Sequence, residues 1–225
     1  MGKNISAIIS PQGAARLLLC NEIDLTDSWS FSQSQSVLDA LLSMSIEELL
    51  SIVDSTEPAY FDTANIPQFG SIESLIRVPS ILIEAGCGKM NYAELGLRLK
   101  NDVTAKLDAN IKFGENHGKG AALLGLVNCI DKRFSLSSLS NGFNQISDST
   151  KQREIVLRLF FRIPLVQAIL KSAKEGITNG YDYMIDLTES TKKRRGQCLR
   201  AIFRDLKELY NKDLDMRLIN IIWSC

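Results

Sequence analysis

The strongest constraint on the fold lies near the carboxyl end of the chain, where a charged run leads into an apolar stripe. Polar residues at 188–191 form a helix-start signal, and four consecutive cations follow at 192–195. Apolar residues then recur three and four positions apart, and they are Leu199, Ile202, Phe203 and Leu206. This spacing predicts an amphipathic helix that packs its apolar side on a core. Its basic first turn opposes the helix dipole, but it is well placed to meet phosphate groups.

The net charge of zero hides an uneven distribution along the chain. Residues 1–90 contain 4 Lys and Arg against 11 Asp and Glu, which gives −7. Residues 91–225 contain 22 Lys and Arg against 15 Asp and Glu, which gives +7. A basic part joined to an acidic part indicates a polyanion-binding surface that is confined to the carboxyl-terminal region.

Composition argues against several classes of protein. At 225 residues and 45% hydrophobic content, the chain can bury one good core or a few small ones. It has no apolar stretch of about 18 residues, so we expect a cytoplasmic protein that does not enter a membrane. The five cysteines include no Cys-x-x-Cys pair, and His117 is the only histidine, which argues against a disulfide framework and a zinc site. We therefore expect neither a metal nor a cofactor.

The first 70 residues predict an acidic helical segment with a linker. Apolar spacing indicates a short helix at 11–20 and a longer helix at 34–53. Two prolines fall within residues 54–69, which form the predicted linker. We place the first domain boundary near residue 70, so that residues 1–70 form an N-terminal segment.

Residues 71–147 predict a first module of three helices and a hairpin. The helices are expected at 71–85, with a kink or interruption near Pro79, at 91–96 and at 116–124. Two short apolar runs then flank the turn Asp131-Lys132, which is typical of a β-hairpin. Three helices followed by a hairpin predict a winged helix.

Residues 148–225 predict a second module of the same kind. Helices are expected from residue 149, at 165–174, at 181–187 and at 190–206, and an apolar strand is expected at 216–223, where a wing would lie. The predicted fold class is therefore mainly α with short β-hairpin wings. It consists of tandem winged-helix (helix-turn-helix) modules plus an N-terminal helical segment.

The first module carries a candidate recognition helix around residues 112–124. Small residues there would allow close approach to DNA, Asn116 could read an adenine edge, and Lys112 and Lys119 could neutralise phosphates. His117 is expected to face DNA or to cap the helix, and Arg133 on the hairpin could touch the phosphate backbone. The same run lacks the Gly-x-x-x-x-Gly-Lys-Ser/Thr pattern and a preceding apolar strand, which argues against a nucleotide-binding loop.

The second module carries the larger set of candidate DNA-binding residues. We expect Ser190 or Thr191 to reach base edges, because they open the helix. The expected phosphate ligands are cations on the same helix, namely Lys192, Lys193, Arg194, Arg195 and Arg200.

Three segments carry a resemblance to a known family. They are Gly-Glu-Asn-His at 114–117 ahead of Leu-Gly-Leu-Val at 124–127, Phe-Arg-Ile-Pro-Leu-Val at 161–166, and Ser-Thr-Lys-Lys-Arg-Arg at 190–195. Together they resemble the tandem winged-helix region associated with type II restriction endonucleases, over about residues 85–210. The resemblance implies that this region reads or grips DNA while a separate nuclease domain cleaves it. It points to Asn116, His117 and Lys119 in the first module and to residues 190–195 in the second.

A nuclease of that type needs carboxylates and a lysine spaced as Asp/Glu-x-Lys to hold magnesium. The one match in the carboxyl-terminal region, Asp205-Leu206-Lys207, ends a basic helix and has no strand before it. We therefore predict a protein that recognises double-stranded DNA without cutting it, as a recognition module or subunit of a restriction-modification system with a separate nuclease.

Three alternatives stay open at this point. The first is a transcriptional regulator that forms a homodimer through its N-terminal helices and binds symmetric half-sites. The second is a protein-interaction module that meets an acidic partner. The third is a compact magnesium-dependent nuclease that uses Asp205 and Lys207.

Overall fold

The computed structural model describes residues 10–57, 66–86, 88–101, 104, 106–209 and 216–224. Helices dominate these residues, in the order α1 Pro11–Leu19, α2 Phe31–Ser43, α3 Ile46–Ser55, α4 Ile72–Glu84, α5 Tyr92–Lys100, α6 Leu107–Leu123, α7 Ser140–Asn144, α8 Ser149–Leu159, α9 Pro164–Glu175, α10 Glu189–Leu209 and α11 Met216–Asn220. The short strands are β1 Met90–Asn91, β2 Val127–Ile130, β3 Arg133–Leu136, β4 Thr178–Asn179 and β5 Ile221–Ile222. The predicted mainly helical fold with small sheets is confirmed.

The N-terminal segment holds two helices where one long helix was predicted. Met44 adopts an extended conformation and ends α2, and Ser45 starts α3. The Ser45 hydroxyl accepts from the Glu48 N–H at 3.2 Å, and the Glu48 carboxylate accepts from the Ser45 N–H at 2.7 Å. This reciprocal cap stabilises a new helix start, so the prediction of continuous helix over 34–53 was wrong. The apolar spacing is preserved across the break because both helices bury their apolar sides in the same core.

Buried polar side chains join the N-terminal helices to α8 and α9. Arg158 of α8 donates from Nη1 to the Leu41 carbonyl near the end of α2 at 3.0 Å. Gln167 of α9 donates from Nε2 to the Leu19 carbonyl, the last of α1, at 3.1 Å. The last carbonyls of a helix lack partners within it, so these side chains complete the two helix ends from outside.

Residues 72–136 form a compact block with the element order helix, strand, helix, helix and hairpin. α4 continues through Pro79 to Glu84. In the sheet, β1 pairs with β3 and β3 pairs with β2, both antiparallel. The hairpin turn lies at Asp131 and Lys132, whose φ angles of 50° and 59° are those of a tight two-residue turn. The predicted hairpin is therefore confirmed.

Two glycines set the distance between α5 and α6. A Cβ on Gly96 would overlap the carbonyl oxygen of Asn110, and a Cβ on Gly114 would overlap that of Tyr92. Backbone therefore meets backbone where the helices cross, which any larger residue would prevent. Gly118 similarly lies against the ring of Phe134, where a Cβ would overlap the ring edge.

The carboxyl-terminal block departs from the predicted second hairpin wing. Residues Met216–Asn220 form α11, and β5 after it pairs in parallel with β4. The predicted strand at 216–223 is therefore wrong over its first five residues. The Asn220 side-chain amide donates to the Ala173 carbonyl near the end of α9 at 2.8 Å, so α11 is bonded to α9. The predicted helix at 181–187 is a single 3-10 turn at Gly180–Tyr183.

No helix in the described part of the chain combines the length and the hydropathy needed to cross a bilayer.

Replacement of Gly114 by alanine tests the close crossing of α5 and α6. We expect Gly114→Ala to lower the free energy of unfolding by about 3 kcal/mol, because the helices must separate to admit a methyl group. Gly88→Ala is the matched control, since a Cβ at Gly88 meets nothing within 4 Å. Urea denaturation of both variants measures the difference, and equal stabilities would show that the crossing does not depend on glycine.

Candidate nucleic-acid interface

The basic helix α10 is mounted on the core by the apolar side that its sequence predicts. Lys192 N–H donates to the Thr188 carbonyl at 2.9 Å, which marks the helix start. The four predicted apolar residues, Leu199, Ile202, Phe203 and Leu206, are each at most 1% exposed. The predicted amphipathic helix is thus confirmed.

Aromatic rings pack against the side of α10 that faces the protein. Gly196 lies so close to the ring of Tyr181 that a Cβ would overlap it. Trp223 meets Tyr181 edge to face at a centroid distance of 5.5 Å and lies 6.0 Å from the ring of Phe203. These contacts fix the helix along its length, so its solvent side has a defined direction.

A line of polar and cationic side chains runs along the solvent side of α10. Its members are spaced by four, three, four and three residues, which places them on one face of a helix. Four of them are exposed and the last is half-buried, and they are Lys193, Gln197, Arg200, Arg204 and Lys207. We call these five residues the α10 stripe. Arg194 is exposed beside it.

The four consecutive cations do not act as one patch. Successive residues of a helix differ by about 100° in direction, so only Lys193 belongs to the stripe. Lys192 is half-buried and lies 3.4 Å from the Glu189 carboxylate. Arg195 is also half-buried, and its pKa is lowered by burial and by repulsion from Arg194. The four cations therefore do not share one solvent-facing side, since Lys193 and Arg194 are exposed and Lys192 and Arg195 are half-buried.

The first turn of α10 contains the two predicted hydroxyl residues. Ser190 is exposed, and its hydroxyl lies 3.3 Å from that of Thr188. Thr191 is half-buried, and its hydroxyl accepts from the Thr188 hydroxyl at 2.9 Å. Of the two, Ser190 is the better placed to meet a ligand in solvent.

Asp205 is a buried carboxylate that links α10 to α8 through Arg153. It is 7% exposed, and its carboxylate accepts from Arg153 at 2.7 Å and from Arg204 at 3.0 Å. Arg153 also pairs with Glu73 of α4 at 2.8 Å. The carboxylate that the nuclease alternative needs is therefore engaged on both oxygens by guanidinium groups. In the described residues, no three His, Cys, Asp or Glu side chains converge as a metal site.

The candidate recognition segment of the first module lies in the middle of α6. The helix begins at Leu107, so residues 112–119 form neither a loop nor a helix start. Its small residues face inward, since Gly114 packs on α5 and Gly118 packs on Phe134. The prediction that they allow close approach to DNA is therefore wrong, because other parts of the chain occupy that space.

The two lysines of α6 share one carboxylate. Lys112 and Lys119 lie 2.9 and 2.8 Å from opposite oxygens of Glu115. Hydrogen bonds from Lys112 and then Lys119 lower the pKa of Glu115, which keeps it charged. Asn116 is half-buried on the same helix, and Arg133 is exposed on β3. This surface is therefore less positive than the predicted set of residues implied.

His117 is a buried structural residue. It is 2% exposed, its Nε2 accepts from the Gly70 N–H at 3.0 Å, and its Nδ1 donates to the Phe113 carbonyl at 2.8 Å. Burial lowers its pKa, so the neutral ring is favoured. The prediction that it faces DNA is wrong, because both ring nitrogens are used inside the protein.

Sequence reasoning missed three members of the α10 stripe, namely Gln197, Arg204 and Lys207. The signal was present, since they continue the helical spacing from Lys193 through Arg200. The run of consecutive cations was a misleading pattern, because residues on one side of a helix are three and four positions apart and not adjacent.

Comparison of the chain with protein-family models, with curated proteins and with solved structures finds no match.

The burial of His117 predicts a pH-dependent stability. Its folded pKa lies below the ordinary value of 6.5, so the unfolded chain binds the proton first as the pH falls. The free energy of unfolding should therefore be constant above about pH 7 and decrease as the pH falls below about 6.5.

Urea titrations at about pH 7.5 and about pH 5.5 measure this effect. His117 is the sole histidine, so His117→Gln should remove most of the difference between the two conditions. An unchanged difference in that variant would assign the pH dependence to other groups.

Proposed function

We propose that this protein binds double-stranded DNA through the solvent side of α10. The observation that carries the proposal is the α10 stripe, a straight row of cations with one amide at its second position on a firmly mounted helix. Between residues 190 and 207 the only acidic residue is Asp205, which is buried. The exposed side of this stretch therefore presents positive charge without an exposed carboxylate, and within the described part of the chain only Arg204 in the stripe is paired, with the buried Asp205.

The dimensions of the stripe suit a duplex. From residue 193 to residue 207 a helix rises about 21 Å, and a single helix fits the major groove, which is about 12 Å wide. The cations would contact phosphates on the two sides of the groove, and Gln197 lies between them. A glutamine amide can pair with both the N6 and N7 atoms of adenine, so Gln197 is the proposed base-reading residue, with Ser190 near the helix start.

The element order of residues 72–136 supports a winged-helix assignment for the first module. A winged helix contains three helices, a strand after the first of them, and a carboxyl-terminal hairpin. We propose that Arg133 on this hairpin contacts the phosphate backbone, with Asn116 and the paired lysines of α6 in a lesser role.

The second module matches this order only from α9 onward, where β4 follows the helix, and a 3-10 turn at Gly180–Tyr183 takes the place of the second helix before α10. It then has the single parallel strand β5 in place of a hairpin. We propose a winged-helix variant in which the helix, without a hairpin wing, provides the main contact.

The proposed biological setting rests on the sequence resemblance to the region associated with type II restriction endonucleases. In a restriction-modification system, the protein would supply sequence recognition, and a separate nuclease subunit or domain would cleave. Asp205 is paired with two arginines and holds α10 in place. This pairing supports a structural role for Asp205 over a magnesium-binding role.

The salt dependence of duplex binding tests the proposed interface. Arg204 is already paired with Asp205, so the other four cations on or beside the stripe, together with Arg133, neutralise about five phosphates. The plot of log K against log salt should therefore have a slope of about −4.5. Arg200→Gln should reduce the magnitude of this slope by about 1, because one phosphate contact is lost. A fluorescence titration over several salt concentrations measures both values.

Two control variants separate the surfaces. Lys151→Gln removes an exposed cation from α8 and should leave the slope unchanged. Lys112→Gln should have a smaller effect than Arg200→Gln, because Lys112 is already paired with Glu115. Binding that does not respond to salt would exclude the proposed mechanism.

Replacement of Gln197 tests base reading separately from charge. In a selection from random duplexes, Gln197→Ala should lose discrimination at one or two positions, worth about 1–3 kcal/mol, and keep the salt slope of the wild type. An identical enriched sequence for both proteins would exclude Gln197 as the reading residue. A symmetric enriched sequence with two half-sites would instead assign the dimeric regulator.

A further inference from the structure

A cavity of about 510 Å³ lies between the N-terminal segment, the end of α6 and the first hairpin. Its walls are mostly aliphatic, and two cations and one amide interrupt them. The lining includes Ile23, Leu123, Val127, Asn128, Lys119 and Arg162. Among the described residues that line it, none is Asp or Glu. This combination of a mainly apolar wall with a few polar groups is typical of small-molecule sites.

Arg162 is the unusual member of this wall. Its side chain is 7% exposed, and Nε donates to Asn21 Oδ1 at 3.0 Å. Its Nη1 is buried and has no hydrogen-bond partner among the described residues. A buried charged donor without a partner is unfavourable. The cost of burying Arg162 Nη1 is therefore not offset by a hydrogen bond within the described residues.

The surroundings of Arg162 are built to hold a guanidinium. Gly125 follows the end of α6 with φ of +74°, and a Cβ there would overlap Arg162 Nη1. Asn21 reciprocates from the other side, because its Nδ2 donates to the Arg162 carbonyl at 2.7 Å. The guanidinium is therefore positioned before any ligand arrives, which reduces the entropy cost of binding.

The local charge balance favours an anion. Burial lowers the pKa of Arg162 to about 10, so the group remains a cation at neutral pH. Lys119 is the second cation, and its side chain is 43% exposed and paired with Glu115. Among the described residues no carboxylate pairs with Arg162, whose Nε donates to the neutral amide of Asn21.

We propose that this cavity binds a small organic oxyanion, a carboxylate or a phosphate monoester with an apolar body. Arg162 and Lys119 recognise the oxyanion, because cationic donors make strong charge-assisted hydrogen bonds to anionic oxygens. The aliphatic residues Ile23, Leu123 and Val127 contact the apolar body. This site uses other residues than the α10 stripe and does not depend on DNA binding.

Cys129 provides a local reporter for the test. It lines the cavity and is an exposed residue. The purified full-length protein is treated with iodoacetamide, and alkylation of Cys129 is followed by peptide mass mapping. The probes are hexanoate, its neutral analogue hexanamide, and phenyl phosphate. Cys20, which does not line the cavity, serves as the internal control.

We expect hexanoate or phenyl phosphate at about 10 mM to slow Cys129 alkylation about tenfold, as a Kd of about 1 mM implies, and to leave Cys20 unaffected. The more effective probe identifies the type of oxyanion. Hexanamide should not protect, because it lacks the charge. Protection by neither anion, or equal protection by hexanamide, would overturn the proposal.

Two variants assign the recognition to named residues. Arg162→Met should abolish protection, and it keeps an apolar chain of similar length in the buried position. Lys119→Gln, at a more exposed position, should fold normally and weaken protection, which keeps the test decisive if Arg162→Met does not fold. Undiminished protection in Lys119→Gln and Arg162→Met would overturn the assignment. Protection by a short DNA duplex with the same dependence on Arg162 would replace the small ligand with a nucleic-acid phosphate.

Discussion

The architecture depends on polar side chains of α8 and α9 that are buried against the ends of other helices. Arg158 and Gln167 satisfy the terminal carbonyls of α2 and α1, and Arg158 is itself paired with Glu154 at 2.8 Å. Leaving a buried carbonyl unsatisfied costs about 1–3 kcal/mol, so these bonds hold the acidic N-terminal helices in a fixed position. A hydrophobic core alone would tolerate sliding of helices, whereas hydrogen bonds to specific carbonyls require one register.

The same helix α8 also positions the proposed interface. Five residues before Arg158, Arg153 reaches Asp205 of α10 and Glu73 of α4. α8 thus connects the N-terminal helices, the first module and the basic helix. A DNA-contacting helix must keep its direction when phosphates attract its cations. The partly buried pair of Arg153 with Asp205 and the aromatic contacts of Trp223 hold α10 in this way.

Environment assigns different roles to similar cations in this protein. Arg200 is exposed, which suits an attraction to phosphates that is screened by salt. Lys112 and Lys119 share Glu115 and are partly neutralised. Arg162 is buried, where screening is weak and an unsatisfied donor is costly. Counting basic residues would treat these positions alike, although burial and pairing separate them into the proposed polyanion surface, a local ion-pair cluster and the proposed small-ligand site.

Local patterns allowed part of this structure to be predicted from sequence. The apolar side of α10 and the turn at Asp131 and Lys132 follow from helical spacing and from two adjacent turn residues, so the sequence by itself determined them. The burial of His117, the parallel pairing of β4 with β5 and the cavity at Arg162 were decided only by the tertiary structure. The buried ring of His117 accepts from Gly70, 47 positions away, and Arg162 donates to Asn21 across 141 positions. Contacts between distant segments leave no local periodicity, which is why only packing could place them.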